Sequence, residues 1–317
     1  MRAIVQRGYA RPEPLVLRDW PDPEVRPGGL LLRVTACGAN ASDWEVITGT
    51  PAYARLTRRF RGRETIPGSD VAGVVEALGA GVTGFAPGDR VVADLMEHWG
   101  GFAERVAAPA SRFVKIPPGV SDVDAAALPQ SGTIALKAME RVLPGQRVLV
   151  NGAGGGSGPL AIQLAVARGG VVTAVDNAGK AEVMRAAGAA EVMDHAHKDF
   201  TRTGATWDVI LDLYGTRPMR AIRPCLRPGG RYMMVGGPMR AFWSAVGGTL
   251  RGADRQGRRA GLLIVPQGPA RLPELLAMVE AGTLRPVIGA VVPLADTPGA
   301  LAAMGAGEIA GKLVVTP

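Results

Sequence analysis

The chain has only two cysteines and three histidines in 317 residues, and that scarcity rules out several constructions. Cys37 and Cys225 lie far apart and form neither a CxxC pair nor a disulfide framework. A structural zinc lobe built on four cysteines is therefore impossible. A catalytic zinc takes three protein ligands from Cys, His, Asp or Glu. His195 and His197, spaced by two after a short strand, suit a rim position better than a metal site, so no zinc is expected. Aromatic residues are also few, at 5%. The net charge of +8, from 36 basic against 28 acidic residues, comes from bases scattered along the chain. No stretch interleaves them with stacking aromatics, so a dedicated nucleic-acid partner is not expected. The opening Met1-Arg2-Ala3-Ile4-Val5-Gln6-Arg7 lacks an apolar secretory segment. The one long uncharged stretch, 148–167, is split by glycines at 152, 154, 155, 156 and 158 and cannot span a membrane. A soluble, cytoplasmic protein with no membrane partner is the expectation.

Apolar residues are plentiful, at 47%, with 20% charged, which suits well-buried cores. The length exceeds the ~100–200 residues usual for one domain, so two domains are expected. The first third reads as short strands (30–36, 71–78, 90–93) between Gly and Pro turns. No long helical pattern precedes residue 122, where Ser121 or Asp122 is placed to cap an Ala-rich helix running toward 141. From Pro144-Gly145 onward strands and helices alternate. The strands fall at 147–151, 171–175, 191–193, 207–213, 231–235 and 261–265, with helices at 159–168, 180–187 and 219–226. Nearly all-apolar strands separated by helices predict a parallel sheet covered on both faces, and six is the count of a complete doubly wound fold. The last fifty or so residues, a helix at 271–281 and a strand at 311–315, are too few for a core of their own. They are expected to return to the N-terminal β region. The division is then 1–122, 123–265 and 266–317, the outer two forming one domain.

The sharpest local signal is Val148-Leu149-Val150-Asn151-Gly152-Ala153-Gly154-Gly155-Gly156-Ser157-Gly158, in which an apolar strand enters a glycine turn and an Ala/Leu helix leaves it. Ala153-x-Gly155-x-x-Gly158 is a form of the dinucleotide fingerprint. Glycine permits the sharp turn, close backbone approach to a pyrophosphate and tight helix–strand packing. The helix N-terminus then holds the anion, and Pro159 fits its first turn. The second strand leads to Asp176, 18 residues beyond Gly158, close to the ~20-residue spacing of a ribose-binding acid. Asp176 favours NADH, because it would repel a 2′-phosphate. Lys180 favours NADPH, because it would neutralise one. The chemistry of the two residues leaves that choice open.

Seven segments in order carry a family resemblance: MRAIVQRGY, PDPEVRPGGLLLRVTACGANASDWEVITG, IPGSDVAGVVEALGAGVTGFAPGDRV, GGFAERVAAP, LPQSGTIALKAM, VLVNGAGGGSGPLAIQLA and the closing GKLVV. Over essentially its whole length the chain resembles the medium-chain dehydrogenase/reductase superfamily, in its zinc-independent quinone oxidoreductase-like branch. The resemblance implies a Rossmann doubly wound parallel sheet inserted into a GroES-like, mainly-β catalytic domain, with the active site in the cleft between them. Asn40 stands where zinc-dependent relatives have a Cys, and Ser69-Asp70 where they have His-Glu. By the same resemblance Asn40 and Asp43 line the substrate and nicotinamide end, and Thr133 contacts the nicotinamide half of the cofactor. Gly155, Gly156, Ser157 and Gly158 hold the pyrophosphate, although an aliphatic residue is usual at Ser157. Lys180 falls where relatives oppose the 2′-phosphate, and His195 where an adenosine-side tyrosine is common. Asp176 replaces a small residue. Gly236 and Gly237 follow the fifth strand, where the nicotinamide ring is expected. Tyr53 is a candidate hydrogen-bond donor in the cleft, with a packing role as the alternative, and Asn40 and Asp43 have a cap of the turn after the strand as theirs. The run Arg55, Arg58, Arg59, Arg61 and Arg63 is read as a solvated loop, or alternatively as an attractor of anionic substrate.

The resulting expectation is an NAD(P)H-dependent reductase passing hydride to a small conjugated acceptor, an α,β-unsaturated carbonyl or a quinone. NADPH is the expected cofactor, with NADH admitted because of Asp176. A homodimer is implied only by analogy with relatives. Two alternatives stay open. One is an enoyl-thioester reductase acting on a carrier- or CoA-bound chain, and the other a non-catalytic NADPH-sensing or RNA-binding protein.

Overall fold

The computed structural model describes residues 1–9, 15–57 and 64–317. The chain opens with strands β1 (Arg2–Arg7), β2 (Val16–Asp19) and β3 (Gly29–Ala39), then helix α1 (Ala41–Thr48). Next come β4 (Glu64–Thr65), β5 (Asp70–Leu78), β6 (Arg90–Asp94), β7 (Arg105–Pro109), β8 (Phe113–Lys115), α2 (Asp122–Ala126) and α3 (Pro129–Met139). The alternating section holds β9 (Arg147–Asn151), α4 (Gly158–Ala167), β10 (Val171–Asp176), α5 (Ala181–Ala186), β11 (Glu191–Asp194) and β12 (Trp207–Asp212). It ends with α6 (Met219–Ile222), β13 (Leu226–Met234), α7 (Met239–Arg251) and β14 (Arg259–Leu262). Last are α8 (Leu272–Glu280), β15 (Ile288–Pro293), α9 (Thr297–Gly305) and β16 (Lys312–Thr316).

Two compact units result: Met1–Thr133 with Pro266–Pro317, and Ile134–Val265. The single helix expected from 122 toward 141 is two helices. Ser121 caps the first, its Oγ accepting the Asp124 N–H at 3.0 Å, and Pro129, which has no N–H to give, starts the second. The first of them stays with the N-terminal unit, so the boundary falls at 133 and not at 122. It packs on β3, β5 and β6, and its Asp122 takes Arg90 Nη2 at 2.6 Å and Thr35 Oγ1 at 2.7 Å. Residues 239–259, which show no clear element in the sequence, contain the 13-residue α7.

The second unit is one six-stranded parallel sheet in the order β11-β10-β9-β12-β13-β14. Counted within the unit, that is 3-2-1-4-5-6, the doubly wound order. Its central strands are apolar on both faces, with Leu149, Val175, Ile210, Trp207 and Met234 in the core.

The first unit has a seven-stranded sheet, β15-β16-β3-β5-β6-β8 with β7 also on β3, and a three-stranded sheet, β2-β1-β4. Leu30, Leu32, Val71, Val91, Phe102 and Val315 fill its core. The C-terminal strand β16 pairs antiparallel with β3, Leu313 opposite Ala39. That register brings Lys312 to the level of Asn40.

Candidate active site

Asn40 follows β3 directly and caps α1. Its backbone N–H donates to Asp43 Oδ2 at 2.6 Å, which is why the chain turns into a helix here. Its side chain is 5% exposed. The amide oxygen accepts a hydrogen bond from Lys312 Nζ at 2.5 Å, and Nδ2 reaches Ser69 Oγ at 3.3 Å and the Gly38 carbonyl at 3.4 Å. The same ammonium donates to Ser131 Oγ at 3.1 Å and lies 3.6 Å from Asp70 Oδ2. Asp70 Oδ2 also accepts the Gln130 N–H at 3.1 Å. All these side chains are buried. Burial raises the Asp70 pKa to about 6, against the pull of Lys312. Burial and the Asp70 charge raise Asp43 to about 7. Asn40, Asp43, Ser69 and Asp70, singled out from the sequence, thus come together. Lys312 and Ser131 complete the group without having been singled out. A lysine opening an apolar strand carries no distinguishing sequence signal.

Tyr53 donates its hydroxyl to Glu45 Oε1 at 3.0 Å and sits on a small apolar cluster with Val46, Ala54 and Trp99. Burial raises the Glu45 pKa to about 7. Arg55 donates Nε to the Gly49 carbonyl at 2.7 Å. Arg58, Arg59, Arg61 and Arg63 lie outside the described residues. Thr133 is 3% exposed, and its hydroxyl has no partner among the described residues.

In the second unit the glycine turn occupies the loop from central strand β9 to α4. Gly152 takes φ +79°, which suits glycine and lets the chain leave the strand sharply. Gly158 lies against Ala153: a Cβ there would sit 2.2 Å from the Ala153 carbonyl oxygen. Among the described residues, the N–H groups of Gly156, Ser157 and Gly158 meet no acceptor, so they are available at the helix N-terminus for an anion. Asp176 turns back into this loop. One carboxylate oxygen accepts the Gly154 N–H at 2.9 Å, and the other accepts the Asn177 N–H at 2.8 Å with Lys180 Nζ at 3.4 Å. Both side chains of this ion pair are nine-tenths buried. Asp176 is therefore a brace of the loop as much as a candidate ribose ligand, and Lys180 is engaged with it. His195 is exposed, and its backbone N–H donates to the Asp176 carbonyl at 3.0 Å. Gly236 accepts the Gly215 N–H at 2.8 Å, and Gly237 takes φ +146° with Gly215 O 2.3 Å from where a Cβ would be. Beneath the turn, buried Asp212 accepts from Asn151 Nδ2 at 2.7 Å and from the Tyr232 hydroxyl at 2.8 Å, a network the sequence does not announce.

Comparison with known proteins agrees with this architecture. Residues 26–118 match the family described as alcohol dehydrogenase GroES-like domain, and residues 187–315 the family described as zinc-binding dehydrogenase. A chloroplast envelope quinone oxidoreductase homolog of Arabidopsis thaliana is 30% identical over 94% of this chain and 92% of its own. A 2-haloacrylate reductase of a Burkholderia species is 28% identical over 92% and 91%. The solved quinone oxidoreductase from Coxiella burnetii superposes with a TM-score of 0.89 at 28% identity, covering 100% of this chain and 99% of that one. With the Rossmann order of the second unit and the relatives' full-length match, the chain belongs to the medium-chain dehydrogenase/reductase superfamily, in its quinone oxidoreductase-like branch.

Proposed function

We propose that this enzyme is a zinc-independent, NADPH-dependent reductase that delivers hydride to a small conjugated acceptor, an α,β-unsaturated carbonyl or a quinone. The observation that carries the reading is the turn from Asn151 to Gly158, leaving the first strand of a complete doubly wound sheet with three N–H groups free among the described residues. Those groups hold the pyrophosphate. By the family pattern Thr133, whose hydroxyl has no partner among the described residues, is assigned to the nicotinamide half, and so, independently, are Gly236 and Gly237. Reduced nicotinamide, when bound, supplies the hydride. Asn40 positions the acceptor and donates to the oxygen on which negative charge grows. Conjugation spreads that charge, so a metal is less needed than for a simple ketone. The names of the quinone oxidoreductase and haloacrylate reductase relatives support this acceptor class.

The side chains at the family's metal position do not suit zinc. Asn40, Ser69 and Asp70 offer one carboxylate and no thiolate or imidazole, and an ammonium already lies within 3.6 Å of Asp70 and closer to Asn40. For the cofactor, Asp176 is held by Gly154, Asn177 and Lys180, and Lys180 is held in turn by Asp176. The place of Lys180 in the family pattern, opposite a 2′-phosphate, supports NADPH with NADH as the weaker substitute. A homodimer in the cytoplasm completes the proposal; among the described residues no helix is long and apolar enough to cross a membrane.

The test is fluorescence titration with NADPH and NADH separately, then NADPH oxidation against quinones, enones and enoyl thioesters. Tighter NADPH binding and turnover of quinones or enones are expected. Absence of binding by either nucleotide sinks the reading. Stoichiometric zinc in the purified enzyme sinks its metal-free half, and faster turnover of enoyl thioesters moves the acceptor to that class.

A further inference from the structure

Lys312 is 2% exposed at the head of a strand whose next three residues are core. Its stem runs past Gly38, where a Cβ would lie 2.9 Å from Lys312 Cε. An ammonium has three N–H donors, and three oxygens surround this one: Asn40 Oδ1, Ser131 Oγ and Asp70 Oδ2. Taking such a charge out of water is costly unless its geometry is good, and an apolar side chain would fill the same space at no such cost. The shortest of its contacts is to the asparagine.

That contact fixes the Asn40 amide in one of its two orientations, oxygen toward Nζ and nitrogen toward Ser69. The Nδ2 contacts, at 3.3 and 3.4 Å, are long for hydrogen bonds and open to exchange for a better acceptor. An ammonium on the oxygen also draws electron density from the amide, which strengthens its N–H groups as donors.

We propose that Lys312 is a positioning residue that orients and polarises the Asn40 amide so that Nδ2 donates to the acceptor oxygen during reduction. The inference rests on the reductase reading and adds to it the group that makes Asn40 effective. As a conjugated carbonyl takes up hydride at its β-carbon, the π pair moves to the carbonyl oxygen, where the polarised N–H meets it. A proton from water then completes the α-carbon.

The chain contains three asparagines, Asn40, Asn151 and Asn177, so the side-chain amide of Asn40 can be followed by NMR in protein labelled with 15N-asparagine. Lys312→Met alone leaves Asp70 buried without its partner, so the test uses Lys312→Met with Asp70→Asn alongside the single variant. Both are assayed with NADPH and a panel of simple quinones and enones. The double variant is expected to fold and to bind NADPH within about twofold of wild type. Its kcat should fall about 10- to 100-fold, an indirect loss below that of deleting an oxyanion donor outright, and the Asn40 amide resonance should move. Loss of kcat without movement of that resonance, or movement without loss of kcat, overturns the proposal. A wild-type enzyme inert toward every acceptor sinks the reductase reading along with it. An active wild type matched by the variant sinks this inference alone.

Discussion

Two alanine substitutions in the glycine turn separate its structural from its binding duty. At Gly158 a Cβ would lie 2.2, 2.3 and 2.5 Å from the carbonyl oxygen, carbonyl carbon and Cα of Ala153. All three are backbone atoms that no rotamer change can move, so the start of α4 must shift by about 1 Å to reach ordinary contact distance. Overpacking of this kind costs about 1–3 kcal/mol. Alanine's better helix propensity returns less than about 1 kcal/mol at a first-turn position. A net loss of about 1–2 kcal/mol and a fall in Tm of a few degrees are expected for Gly158→Ala without nucleotide. At Gly155 the nearest atom to a Cβ is Gly152 O at 3.7 Å, an ordinary contact, and φ is not in the left-handed region. Gly155→Ala should therefore melt within about 0.5 kcal/mol of wild type, or slightly higher through the entropy of the unfolded chain. Its methyl group would nevertheless stand where backbone must approach the pyrophosphate, so the NADPH Kd should rise about tenfold or more. Thermal unfolding of the free protein and fluorescence titration with NADPH measure the two effects. A Gly158→Ala protein as stable as wild type would refute the packing argument, and a Gly155→Ala protein binding NADPH normally would refute the pyrophosphate site.

Other perturbations test the buried polar groups. Glu45 keeps its proton to about pH 7 in the folded chain, whereas the unfolded chain releases it near 4.5, so this group's contribution to stability falls as pH rises through that window. Denaturant titrations of Glu45→Gln should show a flatter stability profile than wild type, by at most about 3 kcal/mol between the two ends; an unchanged slope refutes the assignment. Tyr232→Phe strips the Asp212 carboxylate of a 2.8 Å donor in the core, which should cost about 1–3 kcal/mol in chemical denaturation. Asp176→Asn weakens the hold on Lys180 while keeping an acceptor for the Gly154 N–H. The NADPH Kd should then fall while the NADH Kd stays within about twofold of wild type, and a several-fold rise in the NADH Kd would make Asp176 a ligand of the ribose hydroxyl after all.

The strands and helices of the second unit were legible because their signals are local: apolar strands, glycine turns and Ala-rich helices each declare themselves within about ten residues. The scarcity of Cys and His is likewise a matter of composition alone. The stretch expected to run as one helix after 122 is divided at Pro129, whose missing N–H starts a second helix. Asp176 and Lys180 could be named as candidates, but their mutual pairing and the Gly154 N–H that binds Asp176 depend on how strand β10 meets the turn. Asn40 and Lys312 are 272 residues apart and meet only because β16 pairs with β3 in one register. Sequence by itself determined the fold class, the dinucleotide turn and the poverty of metal ligands. Tertiary structure alone decided which buried charges face one another, because a charge taken out of water is stabilised by whatever partner sheet pairing delivers, and that pairing is set by distant strands and not by neighbours in the chain.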